Sequence, residues 1–252
     1  MMIPQDHAGL IAVVTGGASG IGRATVHELA ARGARVASLD VDTPDLGSDA
    51  VSLTCDITDR RSVDAALARV HELFGGLDVL VNNAGVSAIG TVSANDDDQW
   101  LRVLDVNVVG VARVTRAALP LLRRSPAASV VNLGSIAAVN GLPERALYSA
   151  SKGAVHALTL ALATDHVREG IRVNCVAPGT VDTPFVERML QGFADPVAER
   201  AALDARQATG RMVTSEEVAS AVAFIAGPAA ASITGSCLLV DGGVTALRVR
   251  PL

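Results

Sequence analysis

Thr15-Gly16-Gly17-Ala18-Ser19-Gly20-Ile21-Gly22 is the stretch on which the reading of this chain turns. Leu10–Thr15 before it is a short apolar run of strand character, and Gly20–Arg32 after it has helical period. Glycines at such a strand-to-helix join let the backbone come close to a pyrophosphate, whose charge the helix N-terminus holds. The spacing is G-x-x-x-G-x-G rather than the commoner G-x-G-x-x-G. A tight turn without a ligand would use similar residues, so the loop needs support from the rest of the chain.

Working outward, apolar runs alternate with helical stretches. Arg35–Asp40, Val51–Cys55, Leu77–Asn82, Ser129–Gly134, Ile171–Ala177 and Cys237–Val240 read as further strands. Short, nearly continuous apolar runs suit strands covered on both faces, as in a parallel sheet. Helical stretches are expected at Arg60–Phe74, Asp97–Arg123, Tyr148–Glu169, Pro184–Thr209 (broken) and Ser215–Ala226, with Asp59 and Ser215 as caps. Trp100 and Asp96-Asp97-Asp98 read as the opening of the Asp97–Arg123 helix. This alternation predicts an α/β fold, a Rossmann-type doubly wound parallel sheet of about seven strands flanked by helices. No linker or repeat divides the chain, so residues 1–252 are expected to form one domain.

Composition narrows the function. The chain has 252 residues, half of them apolar and 19% charged, with a net charge of −5, which excludes a disordered chain. The acidic balance argues against nucleic acid or an anionic membrane as partner. Cys55, Cys175 and Cys237 lie far apart, so neither a disulfide framework nor a metal site is expected. The start, MMIPQDHAGL, has no basic and apolar leader pattern, and a cytoplasmic protein is expected. Val218 to Val240 carries no charge, but Gly227-Pro228 and a polar run interrupt it. It reads as a helix, a turn and a buried strand.

Ligands of doubly wound sheets sit beyond the carboxyl ends of the strands. The glycine loop, Asp40, Asp56, Asn82–Gly85, Ser135 and Pro178-Gly179 all follow strand ends, so six loops converge on one edge. A carboxylate at Asp40 would accept hydrogen bonds from an adenosine ribose and repel a 2′-phosphate, and no arginine follows it. NAD is therefore expected rather than NADP. Asp56 could accept from the adenine amine or cap a helix. Small side chains at Asn82-Asn83-Ala84-Gly85 would leave room for adenosine.

Tyr148 is the only tyrosine and Lys152 the only lysine, and they stand one helical turn apart on one face. A free tyrosine is too weak a base at neutral pH, and an ammonium held beside it favours the phenolate. Ser135, thirteen residues earlier at a strand end, could hydrogen-bond a substrate oxygen. The side-chain amide of Asn107 could hold a water that links Lys152 to solvent.

Together T-G-x-x-x-G-I-G, N-N-A-G, the Ser135 spacing, Tyr148-Ser149-Ala150-Ser151-Lys152 and Pro178-Gly179 resemble the short-chain dehydrogenase/reductase family, over about Ile11 to Gly243. The resemblance implies Tyr148 as general acid/base, Lys152 as its neighbour and ribose ligand, Ser135 as substrate-orienting group and Asn107 as support of a proton relay. Cofactor contacts are expected at Gly16, Ser19, Gly20, Ile21, Gly22, Asp40, Asp56, Ile57, Asn83, Ala84, Gly85, Tyr148, Lys152, Pro178, Gly179, Val181 and Thr183. Homotetramers or dimers built on the long helices are implied as well.

Pro178–Pro184 with Glu187-Arg188, and Arg206-Gln207 before Gly210-Arg211, are similar to the branch of cytosolic type 2 3-hydroxybutyrate and 2-keto-3-deoxy-fuconate dehydrogenases. That likeness implies Arg145, Arg188 and Arg206 around a substrate carboxylate, beside Ser135 and Tyr148. The segment at about 184–210 is expected to be a mobile lid that excludes water. The expected activity is NAD-dependent hydride transfer to or from a small hydroxy acid or sugar acid. An NADPH-dependent reductase of neutral ketones or 3-oxoacyl carriers, a sugar or polyol dehydrogenase, and a non-catalytic NAD-binding protein are the alternatives. His156, one turn beyond Lys152, reads as packing, and the tail Arg248–Leu252 carries no reading.

Overall fold

The computed structural model of the chain describes residues 5–47 and 50–249, so Met1–Pro4 and the tail beyond Val249 lie outside the described residues. Seven parallel strands form the main sheet in the order β3 (Ala50–Thr54), β2 (Arg35–Asp40), β1 (Ile11–Thr15), β4 (Val79–Asn82), β5 (Ser129–Leu133), β6 (Arg172–Pro178) and β9 (Cys237–Val240). The chain runs outward from β1 to β3, then restarts beside β1 at β4 and runs the other way. All carboxyl ends lie on one edge, and the reversal between β1 and β4 opens a crevice there.

Alternation along the central strands builds two cores. Val13, Leu80, Val130 and Val173 face α2 (Arg60–Phe74), α4 (Gly110–Leu122) and α5 (Ala146–His166), where they meet Val63, Leu67, Val114, Leu122 and Ala163. Val14, Val36, Val81, Val131 and Val176 face α1 (Gly20–Ala31) and α8 (Ser215–Ala226), meeting Val26, Leu29, Val218 and Val222. Complete burial of each such side chain contributes about 1.5–3 kcal/mol.

The two edge strands depart from the expectation of full cover. β9 is only half-buried, with Leu239 exposed, because no strand lies beyond it, and β3 is similar. Helix α8 is capped by Thr214, not Ser215: the Thr214 hydroxyl accepts from Glu217 N–H, and the Glu217 carboxylate accepts from Thr214 N–H. Asp59 does cap α2. The expected Asp97–Arg123 helix is continuous, but α3 (Asp97–Leu104) passes through a π-helical turn at Asp105–Val109 before α4. Asp96 caps it, accepting from Gln99 N–H.

The segment expected as a lid breaks into α6 (Pro184–Leu190) and α7 (Pro196–Arg206). It hangs from a two-stranded parallel clasp, β7 (Val181–Asp182) on β8 (Val213–Thr214), and has a small core of its own, Leu190, Leu203 and Met212.

Candidate active site

A cleft of about 550 Å³ opens at the carboxyl edge of the sheet. Ser19–Gly22 form one end, Ser135, Tyr148 and Lys152 the other, and Val186 and Met189 of α6 overhang it. At the first end the backbone does the shaping. Gly16 has φ +67, and a Cβ on Gly22 would lie 2.0 Å from the Gly16 carbonyl oxygen. The Asn83 side-chain amide donates to the carbonyls of Thr15 and Gly16 at 2.9 Å each, and the Thr15 hydroxyl accepts from Asn83 and Ala84 N–H. The loops after β1 and β4 are thus stitched together. Ser19 precedes α1 without a side-chain cap bond, which leaves first-turn donors for an anion.

Asp40, at the end of β2, accepts from Ala18 N–H at 2.9 Å and Asp42 N–H at 3.3 Å. These bonds aim its carboxylate across the glycine loop and leave lone pairs on both oxygens. Asp56 is exposed. One of its oxygens accepts from the Thr58 hydroxyl and N–H, and these bonds hold its carboxyl below the usual range. Ile57 points elsewhere: its side chain is buried in the core against Gly110, so it can offer a ligand only main-chain atoms.

At the other end, Lys152 is buried and donates to the Leu133 carbonyl at 2.8 Å, which fixes its ammonium 5.8 Å from the centre of the Tyr148 ring. Ser135 starts the turn Ile136–Ala138 and its hydroxyl accepts from Ala137 N–H, so its own proton remains free to donate into the cleft. Asn107 lies in the π-helical turn, and its side chain is near Lys152 at Gly85. Its amide oxygen accepts from Val86 N–H at 2.8 Å, and its amide nitrogen donates to the Val86 carbonyl and the Ser151 hydroxyl. These bonds clamp the 84–86 loop and leave one lone pair on the amide oxygen. Pro178, Gly179, Val181 and Thr183 line the cleft, and a Cβ on Gly179 would meet Gln207 at 2.8 Å.

Two of the three expected arginines face the cleft. Arg145 follows Glu144, whose φ of +54 and carbonyl bond from Gly90 N–H set the loop before α5. Burial, and then the facing Arg206 guanidinium, push Arg145 below its ordinary pKa. Arg188 is the exception: it is exposed and does not line the cleft. On α6 it lies two residues from Val186, about 200° around the helix, so turning Val186 inward turns Arg188 out. Arg102 of α3 lines the cleft and was missed, because nothing in sequence separates it from nineteen other arginines. Phe185, Val186 and Met189 were also missed, although their helical spacing marks an apolar face.

The family model described as Enoyl-(Acyl carrier protein) reductase matches residues 16–245. The cis-4-hydroxycyclohexanecarboxylate dehydrogenase of Sinomonas cyclohexanicum is 41% identical over 94% of this chain and 97% of its own length. The 3-oxoacyl-[acyl-carrier-protein] reductase of Escherichia coli is 34% identical over 95% and 99%. The chain belongs to the short-chain dehydrogenase/reductase family. Among solved structures, the aldohexose dehydrogenase of Thermoplasma acidophilum superposes with a TM-score of 0.92 at 32% identity, covering 98% of each chain.

Dehydrogenases of this family act on CH–OH groups and use a nicotinamide cofactor. The residues present fit such a group: the Gly16–Gly22 cradle would be filled by any Cβ at Gly22, and first-turn donors of α1 face the cleft. No described helix is long and apolar enough to cross a membrane.

Proposed function

We propose that this short-chain dehydrogenase/reductase is NAD-dependent and acts on a small secondary alcohol bearing a carboxylate, a hydroxy acid or sugar acid. One observation carries the substrate class. The cleft is lined by Arg102, Arg145, Lys152 and Arg206, and no Asp or Glu stands among its lining residues, in a chain of net charge −5. Arginines pair with carboxylates through charge-assisted bonds, and two facing guanidiniums are relieved by an anion between them. The cis-4-hydroxycyclohexanecarboxylate dehydrogenase that the chain resembles is named for such a molecule. Asp40 supports NAD, since its carboxylate would repel a 2′-phosphate.

The roles follow from the side chains. Tyr148 takes the hydroxyl proton of the alcohol and returns it in reduction. Lys152, anchored on Leu133, holds its ammonium 5.8 Å from the centre of the Tyr148 ring, beside the reacting phenol. Ser135 donates its free proton to the reacting oxygen as charge develops there. Bound nicotinamide supplies the hydride acceptor or donor. Asn107 holds the 84–86 loop against Ser151, one residue before Lys152. Lid helices α6 and α7 cover the reacting groups from water. Exposed Leu101 and Val109 on the long helix support assembly as a homotetramer or dimer, which light scattering checks.

The test is a screen of NAD⁺ and NADP⁺ reduction over hydroxy acids, aldonic acids, and matched neutral alcohols and sugars. Higher kcat/KM for acids with NAD⁺ is the expected result. Preference for neutral partners overturns the substrate class, and preference for NADP⁺ overturns the cofactor. The 34% likeness to a 3-oxoacyl-carrier reductase makes that chemistry the second reading, and NADPH-driven reduction of a 3-oxoacyl thioester would establish it.

A further inference from the structure

A second cavity, of about 280 Å³, lies behind the loop that carries Ser135. Cys175 and Cys237 form part of its wall together with His156, Val139, Leu239 and Thr245. The two cysteines are direct register partners on the parallel strands β6 and β9, so their side chains leave the same face of the sheet. Neighbouring strands lie about 4.8 Å apart, inside the roughly 4.4–6.8 Å between Cα atoms that a disulfide spans. Cys175 is buried, whereas Cys237 is partly exposed. None of the roles assigned to the cleft uses either thiol.

We propose that Cys175 and Cys237 are a dithiol site oxidised by a small peroxide, and that the resulting disulfide lowers turnover through the Ser135 loop. Cys237, the accessible sulfur, reacts first. Its thiolate attacks one peroxide oxygen, the O–O bond breaks, and the departing hydroxide takes up the proton that Cys237 gave up, forming water and a sulfenic acid. Cys175 then attacks the Cys237 sulfur as its own proton leaves. The S–O bond breaks, a second water departs, and the S–S bond forms. Two thiols are oxidised and one peroxide is reduced to two waters.

The electrostatics agree with this order. Contact with the Cys175 thiol holds Cys237 below its ordinary pKa, while the same contact and burial push Cys175 up. Coupling to the cleft is steric. The Cys175 sulfur lies 2.6 Å from where a Cβ on Gly134 would stand, so it supports the backbone immediately before Ser135. Gly134 N–H in turn bonds the Val176 carbonyl next to Cys175. Drawing that sulfur from contact distance to bonding distance of Cys237, about 2.05 Å, withdraws the support and displaces the Ser135 hydroxyl.

Equimolar hydrogen peroxide on the full chain tests this, read by intact mass, non-reducing peptide mapping and turnover. The expected result is loss of two hydrogen masses, one peptide pair joined through Cys175 and Cys237, and loss of most turnover with recovery under dithiothreitol. Cys55 is the internal comparison, because it is buried in the core beside Ile57 and Val63 and lines no part of this cavity. Cys237→Ser should turn over normally and resist peroxide. Mass and mapping on the wild type decide the dithiol site even if that variant does not fold or no substrate is found. No joined pair, or a pair through Cys55, overturns the proposal, and so does a joined pair with unchanged turnover.

Discussion

The loop from Gly16 to Gly22 is shaped by backbone rather than by side chains. Backbone amides, a left-handed Gly16 and the absence of a Cβ at Gly22 make the cradle, which Asn83 and Thr15 tie to the β4 loop. The lid at α6 and α7 is the reverse. Val186, Met189, Leu203 and Arg206 shape the cleft with their side chains, over a core of only Leu190, Leu203 and Met212. The loop sits on strands whose central residues are completely buried, but the α6–α7 segment hangs from a two-residue clasp and an exposed Arg200–Asp182 ion pair. One half of the site is therefore built on the main core, and the other on a small core of its own.

Substitutions should separate the halves. The largest effect belongs to chemistry: Tyr148→Phe should lower kcat by about 100- to 10,000-fold, while calorimetry finds NAD affinity nearly unchanged. Equal loss of both would mean the phenol also builds the cradle. Gly22→Ala should do the opposite, weakening cofactor binding by about 10- to 100-fold, since overpacking costs about 1–3 kcal/mol. Gly141→Ala, where an added Cβ meets nothing within 4 Å, is its control.

Smaller effects are expected in the lid. Arg206→Ala should raise KM for a carboxylate substrate by about tenfold, in line with about 1.5 kcal/mol for a hydrogen bond to a charged group, and spare matched neutral alcohols. Arg188→Ala should leave KM unchanged, because that side chain points to solvent. An effect there would show the lid turning as it closes. Arg200→Ala removes a surface pair of about 0.2–1 kcal/mol, so Tm should barely move, while hydrogen exchange in α6 and α7 quickens.

Much of the half built on the main core was legible in the sequence. The strand runs, the glycine loop, Asp40 and the lone Tyr148–Lys152 pair all lie within a few residues of a strand end or on one helical turn, so local spacing places them. Errors gathered where placement depends on distant partners. That Asn107 grips Val86 and Ser151 could not be read from its place in a helix. Ser215 was expected as a cap one residue from the true one, because Thr214 and Glu217 make the reciprocal pair. Arg188 is exposed outside the cleft, and Arg102, which had no role in the sequence reading, lines it.

By itself the sequence determined the parallel sheet and the edge on which its loops converge, because burial on both faces selects unbroken apolar runs and one-handed crossovers bring their ends together. Only the tertiary structure decided which arginines face the cleft, what Asn107 grips, and that Cys175 meets Cys237. Those are contacts between residues 20 to 60 positions apart or more, set by helix rotation and strand register, on which periodicity is silent.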